Sequence, residues 1–139
     1  MAISTAMCVS FKKELLEAEH DFTTDTFKIA LFSNTATLNS STTAYSVSNE
    51  VTGAGYTAGG ATLTVVAPAT SGNSAFVDFS DVTFTSSTIT ARGALIYNSS
   101  KSNKAVVVVD FGSDVTTNNA TFTSTMPAAS VGNAIVRIE

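Results

Sequence analysis

Hydrophobic and polar positions along this chain alternate with two different periods, and the change from one to the other divides it. Near the N-terminus Met7, Phe11, Leu15 and Ala18 recur at spacings of three and four, with Lys12, Lys13, Glu14 and Glu17 mostly on the other side. That spacing predicts one short amphipathic helix over roughly residues 5 to 19, its apolar stripe set to cap a sheet. After Asp21 the period becomes two. TFKIALFS puts Phe27, Ile29 and Leu31 on one face and Lys28, Ala30 and Phe32 on the other. The segments 61–66, 75–85, 88–98, 104–111, 120–126 and 133–139 repeat this behaviour, which predicts seven strands.

Clusters of Gly, Ser, Asn and Pro separate the strands: GAGYTAGG at 53–60, PATSGNS at 68–74, NSSKSN at 98–103, GSDVTTNN at 112–119 and PAASVGN at 127–133. Each reads as a turn or short loop, GAGYTAGG as a hairpin connection around Tyr56. The stretch from Asn34 to Thr52 holds only Leu38, Tyr45 and Val47 as large apolar side chains and reads as a long surface connection, a natural place for contact with another molecule. One helix followed by short strands with no further helical pattern predicts a mainly β fold: an antiparallel β-sandwich or jelly-roll-like barrel. The expected organisation is a helical segment at 1–22, packed on or extending from a single β-sandwich domain at 23–139.

Composition narrows the chemistry. The chain has 22 Thr and 18 Ser among 139 residues, but one His, one Cys and 13% charged residues. Few groups are available to move a proton, activate a nucleophile or bind a metal, so no enzyme activity and no cofactor is expected. A net charge of −4, with five Lys and two Arg scattered, leaves no basic stripe for nucleic acid. The longest apolar run, Ala105 to Val109, has strand length, so no membrane helix is expected. The opening MAISTAMCVSFKKELLEAEHDF lacks a basic segment ahead of an apolar one, which argues against a secretory signal and for synthesis in a cytoplasm. A positive mean hydropathy of +0.25 with so few charges suggests that part of the surface is normally covered.

Candidate sites are few. Cys8 reads as a small buried hydrophobe. His20 reads as a residue of the last helical turn, interacting with the negative helix end. Asp78, Asp81, Asp110 and Asp114 match no calcium-loop spacing, and Asp110 and Asp114 read as a strand end and the FGSD turn after it. No G-x-S-x-G elbow occurs, and GAGYTAGG lacks the Lys of a phosphate loop. No catalytic, cofactor or metal residue is assigned. The residues singled out for partner contacts are Met7, Phe11, Leu15, Tyr45 and Tyr56.

The segments DTFKIALFSNTATLNSSTTAYS, NEVTGAGYTAGGATLT and TITARGALIYNSSKSNKAVVVVDFGSD carry a likeness that spans nearly the whole chain. The chain resembles a family of small virion structural proteins encoded in tailed-bacteriophage genomes. Its matching motifs are turn and strand signatures, and no functional residue is carried over. The resemblance implies a structural role in the virion, and within it a compact, acidic, disulfide-free β-domain resembles a head decoration or cement protein on the capsid surface, with the major capsid protein as partner; exposed strand edges lead one to expect self-association as well, as a trimer or a dimer. A tail, collar or fibre-associated component is the alternative within phage structure. A carbohydrate-binding β-sandwich adhesin is a further alternative, for which Trp is absent and the three Tyr are dispersed.

Overall fold

The computed structural model of the protein describes residues 2–124 and 135–138. Its centre is a five-stranded antiparallel sheet. Along the chain come β1 (Ala6–Met7), α1 (Val9–Leu16), β2 (Phe27–Phe32), β3 (Ala61–Thr62), β4 (Val65–Ser71), β5 (Ser74–Phe79), β6 (Val82–Ser87), β7 (Thr90–Asn98), β8 (Lys104–Thr116), β9 (Ala120–Ser124) and β10 (Val136–Ile138). The central sheet has the order β1-β8-β7-β2-β3, a second sheet the order β10-β5-β4, and β6 pairs with β9. Every ladder between strands is antiparallel. The mainly β, sandwich-like class read from the pattern is therefore present, but the sheets stay open and no closed barrel forms.

Strand β2 explains the centre. It pairs along its whole length with β7, from Phe27↔Asn98 to Phe32↔Gly93. Phe27 meets Phe79 of β5 at 5.7 Å between ring centroids, and stacks on Phe22 at 4.5 Å. Phe32, of opposite parity, meets Tyr45 at 6.4 Å. Both faces are thus covered, and only Lys28 of β2 remains partly exposed. The alternation separates the two faces correctly, while the polar-out side expected of a half-buried strand is absent.

The N-terminal segment belongs to the same core. Ile3 bridges Leu38, and Ala6 and Met7 pair with Val108 and Val107 of β8. Phe11 is fully buried against His20 and Phe22. The helix is shorter than the pattern predicts. Pairing with β8 takes Met7 out of it, and Ala18, at φ 60°, lies in a left-handed turn beyond it. His20 therefore follows the helix instead of closing its last turn.

Two turn clusters prove to be strand. Only Gly72 and Asn73 of PATSGNS turn, joining β4 to β5 as a two-residue hairpin loop, while Pro68 to Ser71 stay extended. In GSDVTTNN, β8 continues to Thr116, and the six residues Asp110 to Val115 span what Gly93 to Ala91 span on β7. Gly112, at φ 85°, supplies a bulge within the strand, since a glycine in positive φ serves a bulge as readily as a turn. Conversely, the continuous pattern at 75–85 breaks at Ser80 and Asp81, where the chain leaves one sheet for another. The PAASVGN turn lies outside the described residues.

The 34–52 stretch is the long surface connection the pattern predicts, most of its residues exposed, but it is anchored to the domain. Ala36, Leu38, Glu50 and Val51 are buried in it, and bridges from Phe32 to Glu50 and from Ala44 to Lys104 tie it to the central sheet. GAGYTAGG then lies flat against β2 and β6. A Cβ on Gly60, whose φ is 79°, would stand 1.8 Å from the carbonyl oxygen of Ile29, so only glycine permits this approach.

Candidate functional site

Two polar networks are buried among the described residues, one centred on the carboxylate of Glu50 and the other on the amide of Asn98. Glu50 is held by the bridge to Phe32 under the 53–60 segment. The Tyr56 hydroxyl donates to its Oε1 at 2.6 Å, the Gly59 N–H donates to the same atom at 2.8 Å, and the Tyr45 hydroxyl donates to Oε2 at 2.7 Å. Tyr56 in turn accepts from the Leu31 N–H at 2.8 Å. Tyr45 stacks on Tyr97 at 4.6 Å, and the Tyr97 hydroxyl donates to the Gly59 carbonyl at 2.6 Å. Burial, reinforced by the neighbouring carboxylate, pushes all three tyrosine hydroxyls up from their ordinary range. They are donors that do not ionise, and the network pins three remote segments together.

The second network joins α1 to β7. Asn98 is fully buried; its amide nitrogen donates to Asp25 Oδ2 at 2.7 Å and lies 3.0 Å from His20 Nδ1, while its Oδ1 accepts from the Ser100 N–H at 3.0 Å. These contacts make Nδ1 of His20 an acceptor and leave Nε2–H to donate to Glu14 Oε1 at 2.9 Å. Lys104 closes on Glu14 at 3.6 Å and Lys101 on Asp25 at 3.9 Å. The imidazole, sealed from solvent, edge-on to Phe11 and stacked near Phe27, is a structural strut between helix and sheet.

The remaining candidates resolve singly. Cys8 is buried, and desolvation followed by the charge of Glu14 pushes its thiol up to about 11, so it is unreactive. Asp110 sits inside β8, not at its end; it accepts from the Gly112 N–H at 2.9 Å and from Arg92 Nε at 3.0 Å, which hold its carboxyl below the usual range. Asp114 accepts from the Asn34 side chain at 2.9 Å. Among the described residues no group of three or more His, Cys, Asp or Glu is arranged to hold a metal ion. No helix among them is long and apolar enough to cross a membrane.

Of the residues singled out for partner contacts, Phe11 is buried in its own domain, and Tyr45 and Tyr56 turn their hydroxyls inward onto Glu50. Met7 is half-buried in β1. Only Leu15 reaches a surface feature with the character of an interface. It lines, with Phe22, Pro68, Phe76, Val136 and Ile138, a wholly apolar groove of about 130 Å³. Beside it, β4 is exposed on both faces from Val66 to Ser71. A second, polar cleft of about 450 Å³ lies over Phe32, Ala36 and Leu38 and is rimmed by the hydroxyl and amide groups of residues 37–49, with no charged residue.

No protein-family model, curated protein or solved structure matches the chain.

The groove had a signal in the sequence, though a dispersed one. Between Lys28 and Asp78 the only charged residue is Glu50. Because Glu50 is buried and bonded three times, the whole surface contributed by residues 29–77 is uncharged.

Proposed function

We propose that this chain is a structural protein of a tailed-phage particle, and within that class a capsid decoration or cement protein. The observation that carries the reading is the exposed, charge-free strand β4 beside an apolar groove, on a domain whose buried carboxylates and imidazole hold its own segments together. Such a domain offers surface, not reactivity. The likeness of the β segments to small phage virion proteins supplies the context in which that surface has a partner, the major capsid protein.

In this role the protein acts by mass action. A domain that binds the assembled shell better than free or unexpanded subunits stabilises the shell by the free energy of that preference. The folded core supplies rigidity, since β2 and β7 are buried on both faces and the helix is stapled to them through His20 and Asn98. Hydroxyl-rich surfaces keep the domain hydrated at little electrostatic cost to close packing on a lattice.

The test is the number of copies per purified particle, measured by quantitative mass spectrometry against the major capsid protein. A ratio near one, or one-third, per capsid subunit is expected of a lattice-wide cement. A ratio of a few per cent would overturn that reading and place the protein in the tail, collar or vertices. Absence from particles would overturn the virion role altogether.

A further inference from the structure

We propose that His20 and Asn98 form a proton-operated latch on the β7–β8 turn: a second proton on the imidazole makes the Asn98 side chain let go of that turn. The inference rests on the second buried network alone and is independent of the virion reading.

With a neutral ring, the Asn98 amide has one orientation. The Ser100 backbone N–H donates to Oδ1 at 3.0 Å, so the oxygen faces it, and the nitrogen donates to Asp25 Oδ2 at 2.7 Å and to His20 Nδ1 at 3.0 Å. Both amide hydrogens are then used, and Nδ1 is an acceptor. A backbone N–H cannot become an acceptor. It therefore fixes the direction of the whole chain of bonds from Ser100 through Asn98 and His20 to Glu14.

A proton on Nδ1 breaks that direction. Two donors then face one another in a site where the imidazole is sealed from solvent, and an unmade buried bond is costly. The amide can accept from Nδ1–H only by turning over. That sets its oxygen against the Asp25 carboxylate and its NH2 against the Ser100 N–H, like against like at both ends. Asn98 thus cannot hold protonated His20, Asp25 and Ser100 together. The helix side is unaffected, because Nε2–H donates to Glu14 in either state. What is released is the turn, whose Ser100 Oγ accepts from the Thr26 N–H at 2.8 Å and whose Asn103 carbonyl accepts from the Tyr45 N–H at 2.9 Å.

The groups around the ring leave the imidazole as the trigger. Glu14 of α1 is matched by Lys104 of β8 at 3.6 Å, and Asp25, ahead of β2, by Lys101 of the turn at 3.9 Å. Asp25 also accepts from the N–H of Asp21, an exposed chain neighbour of His20, at 3.0 Å; Glu19 adjoins on the other side. The Cys8 thiol, pushed up to about 11, keeps its proton, and Phe11 and Phe27 are apolar walls. Of these side-chain types, imidazole is the one that gains a proton between about pH 8 and 5.

The test is NMR of the full chain over about pH 8 to 5. His20 is the only histidine, so its ring signals are read directly. Expected are an unprotonated Nδ1 at neutral pH, a shift of the Asn98 NH2 signals with the same midpoint as the imidazole, and Ser100 amide exchange that speeds up about tenfold beyond its intrinsic pH dependence, while Leu95 and Ile96 in β7 stay protected. In His20→Gln, which has no imidazole to titrate, Ser100 exchange is expected to follow the intrinsic dependence alone; should that variant not fold, the wild-type midpoints decide. The proposal is overturned if Nδ1 carries the proton at neutral pH, if the ring stays neutral throughout the range, if Asn98 and Ser100 do not follow the ring, if His20→Gln shows the same acid response, or if β7 loses protection together with Ser100.

Discussion

Strands β2 and β4 are built from similar material and meet opposite fates. FKIALF and VVAPATS are both short, apolar-rich and nearly free of charge, yet β2 is buried on both faces and β4 is exposed on both. The difference lies in their neighbours. β2 has β7 on one edge and β3 on the other, with Phe79 and Phe22 over one face and Tyr45 over the other. Among the described residues β4 has only β5 beside it. Burial is a property of where a strand is placed, not of its residue types alone.

The comparison is sharpest at Phe27. Phe27→Ala removes a fully buried ring packed on Phe22 and Phe79 and is expected to cost about 4 kcal/mol, read from urea denaturation. A cost below about 1 kcal/mol would show that β2 is not the packed centre of the domain.

Next comes Glu50→Ala. It strips the acceptor from Tyr45, Tyr56 and the Gly59 N–H at once and is expected to cost about 3 kcal/mol, since buried donors left unpaired lose their desolvation free energy in full. Hydrogen exchange should show the 34–60 excursion opening before the central sheet does.

Asp78 belongs to the hairpin sheet and tests it through pH. It is 1% exposed, and its Oδ1 accepts from the Phe79 N–H. Desolvation, with a contribution from the nearby Asp81, raises its carboxyl above the ordinary range. The folded chain therefore holds this proton to higher pH than the unfolded chain does. Stability contributed by Asp78 rises as pH falls from the raised value to the unfolded one, and its cost is present in full above the raised value. Asp78→Asn is expected to stabilise the protein at neutral pH and to flatten thermal stability between pH 4 and 7. A variant less stable than wild type at neutral pH would mean that the charged carboxylate is needed.

The smallest effect is expected at Val66→Thr. On the exposed β4 this should change monomer stability by no more than about 0.5 kcal/mol, checked by thermal melting at low concentration. A large loss would show β4 to be covered within its own chain.

How much of this was legible follows from the range of each signal. Period-two alternation is local and marks a strand wherever it falls, which is why β2 and β7 stand where the pattern puts them and β8 begins where it should. Turn residues are also local, but ambiguous: Gly112 serves a bulge, and Pro68 sits in an edge strand where its missing N–H has no consequence. Helix spacing over Met7, Phe11 and Leu15 was countered by a distant partner, since β8 takes Met7 as a strand. The candidate contacts show the same limit. Tyr45 and Tyr56 look like loop aromatics until Glu50 is seen between them, and Leu15 gains its meaning from Phe76 and Ile138, more than sixty residues away.

The sequence by itself determined the β class, the single helix near the N-terminus, the scarcity of reactive groups and the negative charge, because each depends on residue type and on spacing within a few positions. Only the tertiary structure decided which strands are covered and which are bare. It brought Glu50 under two tyrosines and Asn98 against His20, and left the charge-free β4 standing at the surface, because burial depends on neighbours that long-range packing supplies.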